Sequence, residues 1–193
     1  MLKHVMASLI IIIAAISGSY AAYFSVRTGA ESKSFIHNGP WRTSLFVGAK
    51  DADPHIRAYV AVIGLLGLSR KETIYFQAYS DDTGAPLSSD SDYEIIGEKL
   101  PARWWSLTLY DHDNYLTPNS YNRYSIKGTE AKIGDDGGFR IVLSREPHEG
   151  NWIPMGEGQN MSISIRMYNP NPGVENHLTD LHLPSIRKIG EKL

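Results

Sequence analysis

The sequence predicts a mainly β domain, an antiparallel sandwich of jelly-roll type with one buried helix, preceded by a single transmembrane helix. Three observations carry this. Residues 5–26 hold no charged side chain. Several later segments alternate apolar and polar residues with period two, the pattern of half-buried strands. Clusters of Gly, Pro, Asn and Asp stand between those segments, where turns need them.

Composition sets the frame. A chain of 193 residues has room for one domain and a short appendage. At 42% hydrophobic and 21% charged it can build a core, which excludes disorder and collagen-like or coiled-coil character. With 19 Lys+Arg against 21 Asp+Glu there is no basic excess of the kind nucleic acid demands. Cysteine is absent, so disulfides, thiolate chemistry and Cys-type zinc sites are excluded.

As a helix, residues 5–26 would be about 33 Å long, enough for a hydrocarbon core of about 30 Å. Two export readings fit. A cleaved signal peptide would start at Lys3 and end at the small-x-small site Ser19-Tyr20-Ala21. An uncleaved anchor would use the whole stretch, with Tyr20, Tyr23 and Phe24 at the outer interface. Apolar character persists beyond the cleavage site, which favours the anchor. Either way residues 1–4 face the cytosol and the bulk of the chain lies outside it. Ala14, Gly18 and Ala22 would line one helix face, a spacing that chance explains in so Ala-rich a segment. The predicted organisation is an anchor or signal over residues 1–26, a polar tether over 27–39, and an extracytoplasmic domain over 40–193.

The domain opens with a strand over residues 41–47. Asp53-Pro54 starts a helix, Asp as N-cap and Pro at the first position, where no N–H is needed. Ile56, Tyr59, Val60 and Ile63 follow at helical spacing. With Ala58, Ala61, Val62 and Leu65 covering the other sides, this helix should be buried, with Gly67 as its stop. From Thr73 the period is two: Ile74, Phe76 and Ala78 oppose Tyr75, Gln77 and Tyr79. Asp81 to Gly84 form a turn. Residues 93–97 make a short strand. In residues 104–110 (WWSLTLY) Trp105, Leu107 and Leu109 oppose Trp104, Ser106, Thr108 and Tyr110. Residues 123–127 and 139–143 continue the series. Residues 161–168 (MSISIRMY) alternate cleanly until Asn169-Pro170 ends them. About seven or eight short strands with turns between describe a sandwich or jelly roll.

The run from Trp104 through Asp111, then Asn119 and the stretch Asn122-Arg123-Tyr124-Ser125-Ile126, resembles the core signature of the bacterial domain of unknown function 1214. Gly39-Pro40-Trp41-Arg42-Thr43, Asp53-Pro54, Asn151-Trp152-Ile153-Pro154, the 162–168 strand and Leu183-Pro184 agree with it, so the resemblance covers about residues 40–184. It implies a β-rich sandwich of unsettled biochemical role. It also implies a companion, the domain of unknown function 1254, here on a separate partner protein. The family has no agreed catalytic set, so no catalytic residue carries over.

The candidate ligand residues are Trp104, Tyr110, Asp111, Asn119, Asn122 and Arg123. Trp104 and Tyr110 share the more polar face of their strand, where aromatic rings suit a sugar or a protein partner. Trp105 shares its face with Leu107 and Leu109 and reads as core. Asp111, Asp113 and Asn114 are oxygen donors suited to calcium, but lack the EF-hand pattern and read as a turn. Arg123 with Asn119 and Asn122 suits an anionic group. The favoured alternative is a structural network in which Arg123 bonds Asp111. No HExxH, G-x-S-x-G or Gly-Lys-Ser/Thr phosphate loop is present, and none of the seven histidines pairs at zinc spacing. No metal and no cofactor is called for. The leading expectation is a non-catalytic, membrane-anchored accessory or binding domain in the periplasm, acting with the companion. A carbohydrate-binding or carbohydrate-active domain is the alternative, and a metal-dependent hydrolase has least support.

Overall fold

The computed structural model describes residues 2–31, 35–44, 46–62, 67–156 and 160–191. The first helix, α1 (Leu2–Glu31), contains the apolar stretch. Its segment Leu2–Val26 has mean hydropathy 2.1 and none of it is buried against the rest of the chain. Two of its hydroxyls bond within the helix: Ser17 donates to the Ile13 carbonyl at 2.8 Å and Ser25 to Ala22 at 2.9 Å. Back-bonding of this kind removes the need for water. The helix runs on to Glu31, and strand β1 (Ile36–Asn38) follows, so the stretch read as a tether carries structure at both ends. Ser32, Lys33 and Ser34 lie outside the described residues.

Ten strands follow among the described residues. One sheet joins β1, β2 (Trp41–Thr43), β3 (Thr73–Ala78), β5 (Ala102–Asp111), β6 (Ser125–Lys127) and β9 (Met161–Pro170) in the order β1-β2-β3-β9-β5-β6. The other joins β4 (Ser91–Gly97), β7 (Phe139–Ser144), β8 (Asn151–Pro154) and β10 (Ser185–Glu191) in the order β10-β4-β7-β8. The period-two pattern explains the layering. Phe76, Leu107, Ile163 and Ile165 from the larger sheet meet Ile95, Ile141, Leu143 and Ile186 from the smaller one, and none of them is exposed. Trp105 belongs to this core and stacks on Phe139 at 4.7 Å.

Three differences from the expected pattern have physical causes. The strand expected over 41–47 stops at Thr43, and Phe46 to Ala49 turn instead; Leu45 lies outside the described residues. At Gly48, φ is +72° and a side chain would strike the Leu68 carbonyl, so glycine is required for this close approach. Helix α2 (Pro54–Val62) is capped as expected, the Asp53 carboxylate accepting the His55 N–H at 2.8 Å. It is not buried on most sides, however. Among its described side chains only Ile56 and Tyr59 are buried, His55, Arg57 and Ala61 are exposed, and the helix lies beside α1 rather than inside the sandwich. Ile63 and Leu65 lie outside the described residues.

The third difference is a parallel pair. β8 runs parallel to β7, with Ile141 opposite Asn151 and Ser144 opposite Pro154, so the smaller sheet is not wholly antiparallel. A crossover usually needs a dozen residues. Here residues 145–150 suffice, because the pairing retreats only three residues, about 10 Å, which six extended residues easily cover. The return is fastened by the Trp152 indole, which donates to the Ser144 carbonyl and hydroxyl at 3.1 and 3.0 Å. Asn151, buried, donates to the carbonyls of Lys132 and Arg140 and accepts the Lys132 N–H at 2.7 Å. The far end is closed by Trp41, whose indole donates to the Pro184 carbonyl at 2.7 Å, and by Asn38, which donates to Leu178 and Leu181.

Asp81 staples its turn with a carboxylate whose titration is displaced. Burial alone would raise its pKa, but bonds from the Thr83 hydroxyl and N–H and the Ala85 N–H outweigh it, helped by Lys188, and hold it below the usual value. A depressed carboxylate stabilises the fold above the unfolded value of about 3.9 and loses that contribution as pH falls through the folded pKa. Asp81→Ala is therefore expected to cost about 1–3 kcal/mol at neutral pH. Urea unfolding at pH 7 and pH 3 checks this: the gap between wild type and variant should shrink at the lower pH.

Candidate functional site

Alternation in the six-stranded sheet turns one set of side chains to the core and the other set outward. The outward set forms rows across the strands. One row runs from His37 through Arg42, Gln77, Ser164 and Thr108 to Ser125. The next runs from Tyr75 through Arg166 and Ser106 to Lys127. Trp104 and Tyr168 are opposite each other on one flank of these rows, Tyr110 and Ser162 on the other. Among the described residues of these rows there is no Asp or Glu.

Arg166 is the centre of this face. It donates to the Thr108 hydroxyl at 3.1 Å and to the Tyr110 hydroxyl, and its guanidinium lies 5.5 Å from the Tyr110 ring centroid. Ser106, Thr108, Ser162 and Ser164 are short and almost fully buried, so they form a floor between taller walls. The walls are partly exposed aromatic rings. Trp104 and Tyr168 lie 5.0 Å apart with planes tilted by 58°. Tyr79 carries Arg42 at 4.2 Å from its ring. At the Tyr75 margin the phenol accepts the Leu68 N–H at 3.2 Å, which brings the segment after α2 to the edge of the face.

The predicted ligand residues separate into two groups. Trp104 and Tyr110 share this face, but they stand six residue steps apart along the strand, about 20 Å. Asp111 ends β5, and Asn119, Asn122 and Arg123 belong to the loop beyond it. The Asp111 carboxylate accepts the N–H groups of Asp113 and Tyr115 at 2.9 and 2.8 Å, with Asn114 at φ 65°, which is the turn that the residue types predict. Asn119 closes a second turn, accepting from Tyr121 and Arg123 and donating to the Arg123 carbonyl. Asn122 sits in that turn at φ 50°. The Arg123 guanidinium does not turn to Asp111. It lies 5.8 Å from the Trp152 ring and donates to the Trp152 carbonyl at 3.4 Å, while Tyr121 meets the same indole edge-on at 4.8 Å.

Arg166 is the residue that the sequence reading missed. The signal was there: in MSISIRMY it occupies the polar phase of a clean alternation, and a lone cation in that phase of a central strand is unusual. Elsewhere, a groove of about 690 Å³ crosses the outer side of the smaller sheet, past Ile96, Arg140, Glu149 and His182. Its principal cation is already matched: the Arg140 guanidinium lies 3.1 Å from Glu94, and this bond raises its pKa. No group of three or more His, Cys, Asp or Glu suited to a metal ion occurs among the described residues.

The turn at Asn119 gives a direct check on the loop. Asn119→Ala should cost about 1 kcal/mol and loosen the cover that Tyr121 and Arg123 place over Trp152. Iodide quenching of tryptophan fluorescence should then rise while the thermal midpoint falls by a few degrees, in line with such a loss.

One solved structure agrees with this architecture. The VPA0106 protein of Vibrio parahaemolyticus has a similar fold, with a TM-score of 0.63 at 20% identity over 90% of this chain and 43% of that one. An uncharacterized protein from Burkholderia cenocepacia aligns at a TM-score of 0.47 and 16% identity, over 92% of this chain and 42% of that one. The chain thus spans less than half the length of these solved relatives. No curated protein matches. The model of the family described as protein of unknown function (DUF1214) matches residues 72–172, from the approach to β3 to the end of β9, and the chain belongs to that family.

Proposed function

We propose that this protein is a membrane-anchored binding domain, held by α1 in the inner membrane with its sandwich in the periplasm, and that it acts with a companion-domain protein rather than as an enzyme. The observation that carries the reading is the exposure of α1. None of the apolar segment Leu2–Val26 is buried by the rest of the chain, and an apolar surface of that size requires lipid or an equivalent cover. The self-bonded hydroxyls of Ser17 and Ser25 suit the same setting.

The accessory role has separate support. A relative more than twice as long carries this fold as one part of its chain, so the fold is compatible with a neighbouring domain. The surface offered for binding is the outer face of the six-stranded sheet, where partly exposed rings surround Arg166.

Alkaline phosphatase fused after Leu193 should be active, the chain should resist carbonate extraction, and removal of residues 2–26 should release it. A reporter active only in cytosolic form overturns the anchored reading. Pull-down of the full chain in mild detergent should recover a protein with the companion domain; its absence overturns the accessory role.

A further inference from the structure

We infer that the outer face of the six-stranded sheet binds a carboxylated glycan, Arg166 meeting the carboxylate and the Trp104–Tyr168 pair stacking on a sugar ring. The inference rests on the reading of this face as a binding surface and names what it binds.

Charge is the first argument. The whole chain carries 21 Asp+Glu against 19 Lys+Arg, yet the strand rows of this face hold Arg42, Lys127 and Arg166 with no acidic residue among them. Lys127 is matched from outside the rows by Glu130 at 3.7 Å. Arg166 is different. Its side-chain hydrogen bonds go to neutral hydroxyls, those of Thr108 and Tyr110, and among the described residues no carboxylate lies in ion-pair range of it. A guanidinium presents five N–H donors in a planar fork, so donors remain for a ligand carboxylate, and the two hydroxyls fix the direction of that fork.

Shape is the second argument. Tyr168 is two residues along β9 from Arg166, about 7 Å between backbones on the same face, and Trp104 stands opposite it; the guanidinium leans the other way, to Thr108 and Tyr110, so the carboxylate and the stacked ring belong to different sugars of one chain. The tilted pair offers an apolar ring surface to the C–H face of a pyranose. The short, buried side chains Ser106, Thr108 and Ser164 leave a shallow floor beside the rings, which suits a flat chain of sugars. An acidic peptide would satisfy the cation, but the shallow floor of short hydroxyl side chains beside the rings fits the hydroxyls of a flat sugar chain better than bulky peptide side chains.

The test uses the full chain in detergent micelles and two polymers of one backbone, polygalacturonate and its methyl ester, with polyglutamate as a third probe. Calorimetry should show binding to polygalacturonate that weakens with salt. Arg166→Gln should weaken it by about tenfold or more, the order expected for a charge-assisted pair. Trp104→Leu should weaken it several-fold, as loss of one ring contact implies. Arg166→Lys, which keeps the charge and loses the fork, should fall between; it decides the matter should Arg166→Gln fail to fold by near-ultraviolet circular dichroism. No binding, equal binding of the methyl ester, unchanged affinity in both Arg166 variants, or polyglutamate bound as tightly as polygalacturonate each overturns the inference, the last in favour of an acidic protein partner. A chain that stays in the membrane and captures its companion but ignores polygalacturonate loses this inference alone.

Discussion

The fold depends on the burial of one strand. β9 sits inside the six-stranded sheet with β3 on one side and β5 on the other, and it pairs with β5 from Ala102 to Asp111. Its inward side chains Met161, Ile163, Ile165 and Met167 are buried, three of them completely. At about 1.5–3 kcal/mol for each such side chain, this stripe outweighs any single polar bond in the molecule. It also sets the register. A slip of one residue would carry the four apolar groups to the outside and bring Ser162, Ser164 and Arg166 into the core, where they have no partners. The placement of Arg166 on the outer face is therefore a by-product of core packing, and so is the alignment of Thr108 and Tyr110 with it.

Much of this was legible from residue order. The alternations in 73–80, 104–110 and 161–168 identify β3, β5 and β9 because each buries one face and exposes the other. Asp53-Pro54 identifies the start of α2 because capping chemistry is local. What residue order could not supply depends on distant partners. β1 is three residues long and exists because β2 pairs with it. β8 has no alternation at all, since all four of its residues are buried, and its parallel pairing follows from a short return. Helical periodicity in 54–62 suggested burial on most sides, but α2 lies by α1 with much of its surface exposed.

The signature residues of the family tell a similar story. Trp41 and Pro184, far apart in the chain, meet through an indole–carbonyl bond. Asn151 and Trp152 fasten the β7–β8 return, and Asn119 closes its own turn. Most of the recognisable motif is thus the set of polar clamps that an irregular sandwich needs where backbone groups would otherwise be unsatisfied. The ligand expectation drawn from Asp111, Asn119, Asn122 and Arg123 came from the same polar residues, because clamps and binding groups share one chemistry and differ only in where they point. Position on a sheet face separates the two, and for Arg166 that position is encoded by phase alone.

The join between α1 and the sheet has a geometric consequence. Only residues 32–35 separate Glu31 from Ile36, a stretch that reaches at most about 14 Å. With α1 embedded in lipid, so short a leash holds the sandwich against the bilayer surface and denies it the sweep that a long linker would allow. On the proposed anchored reading, whatever the sheet captured would be captured in a thin layer beside the membrane. Distance from the lipid, rather than affinity alone, would decide which molecules this protein meets.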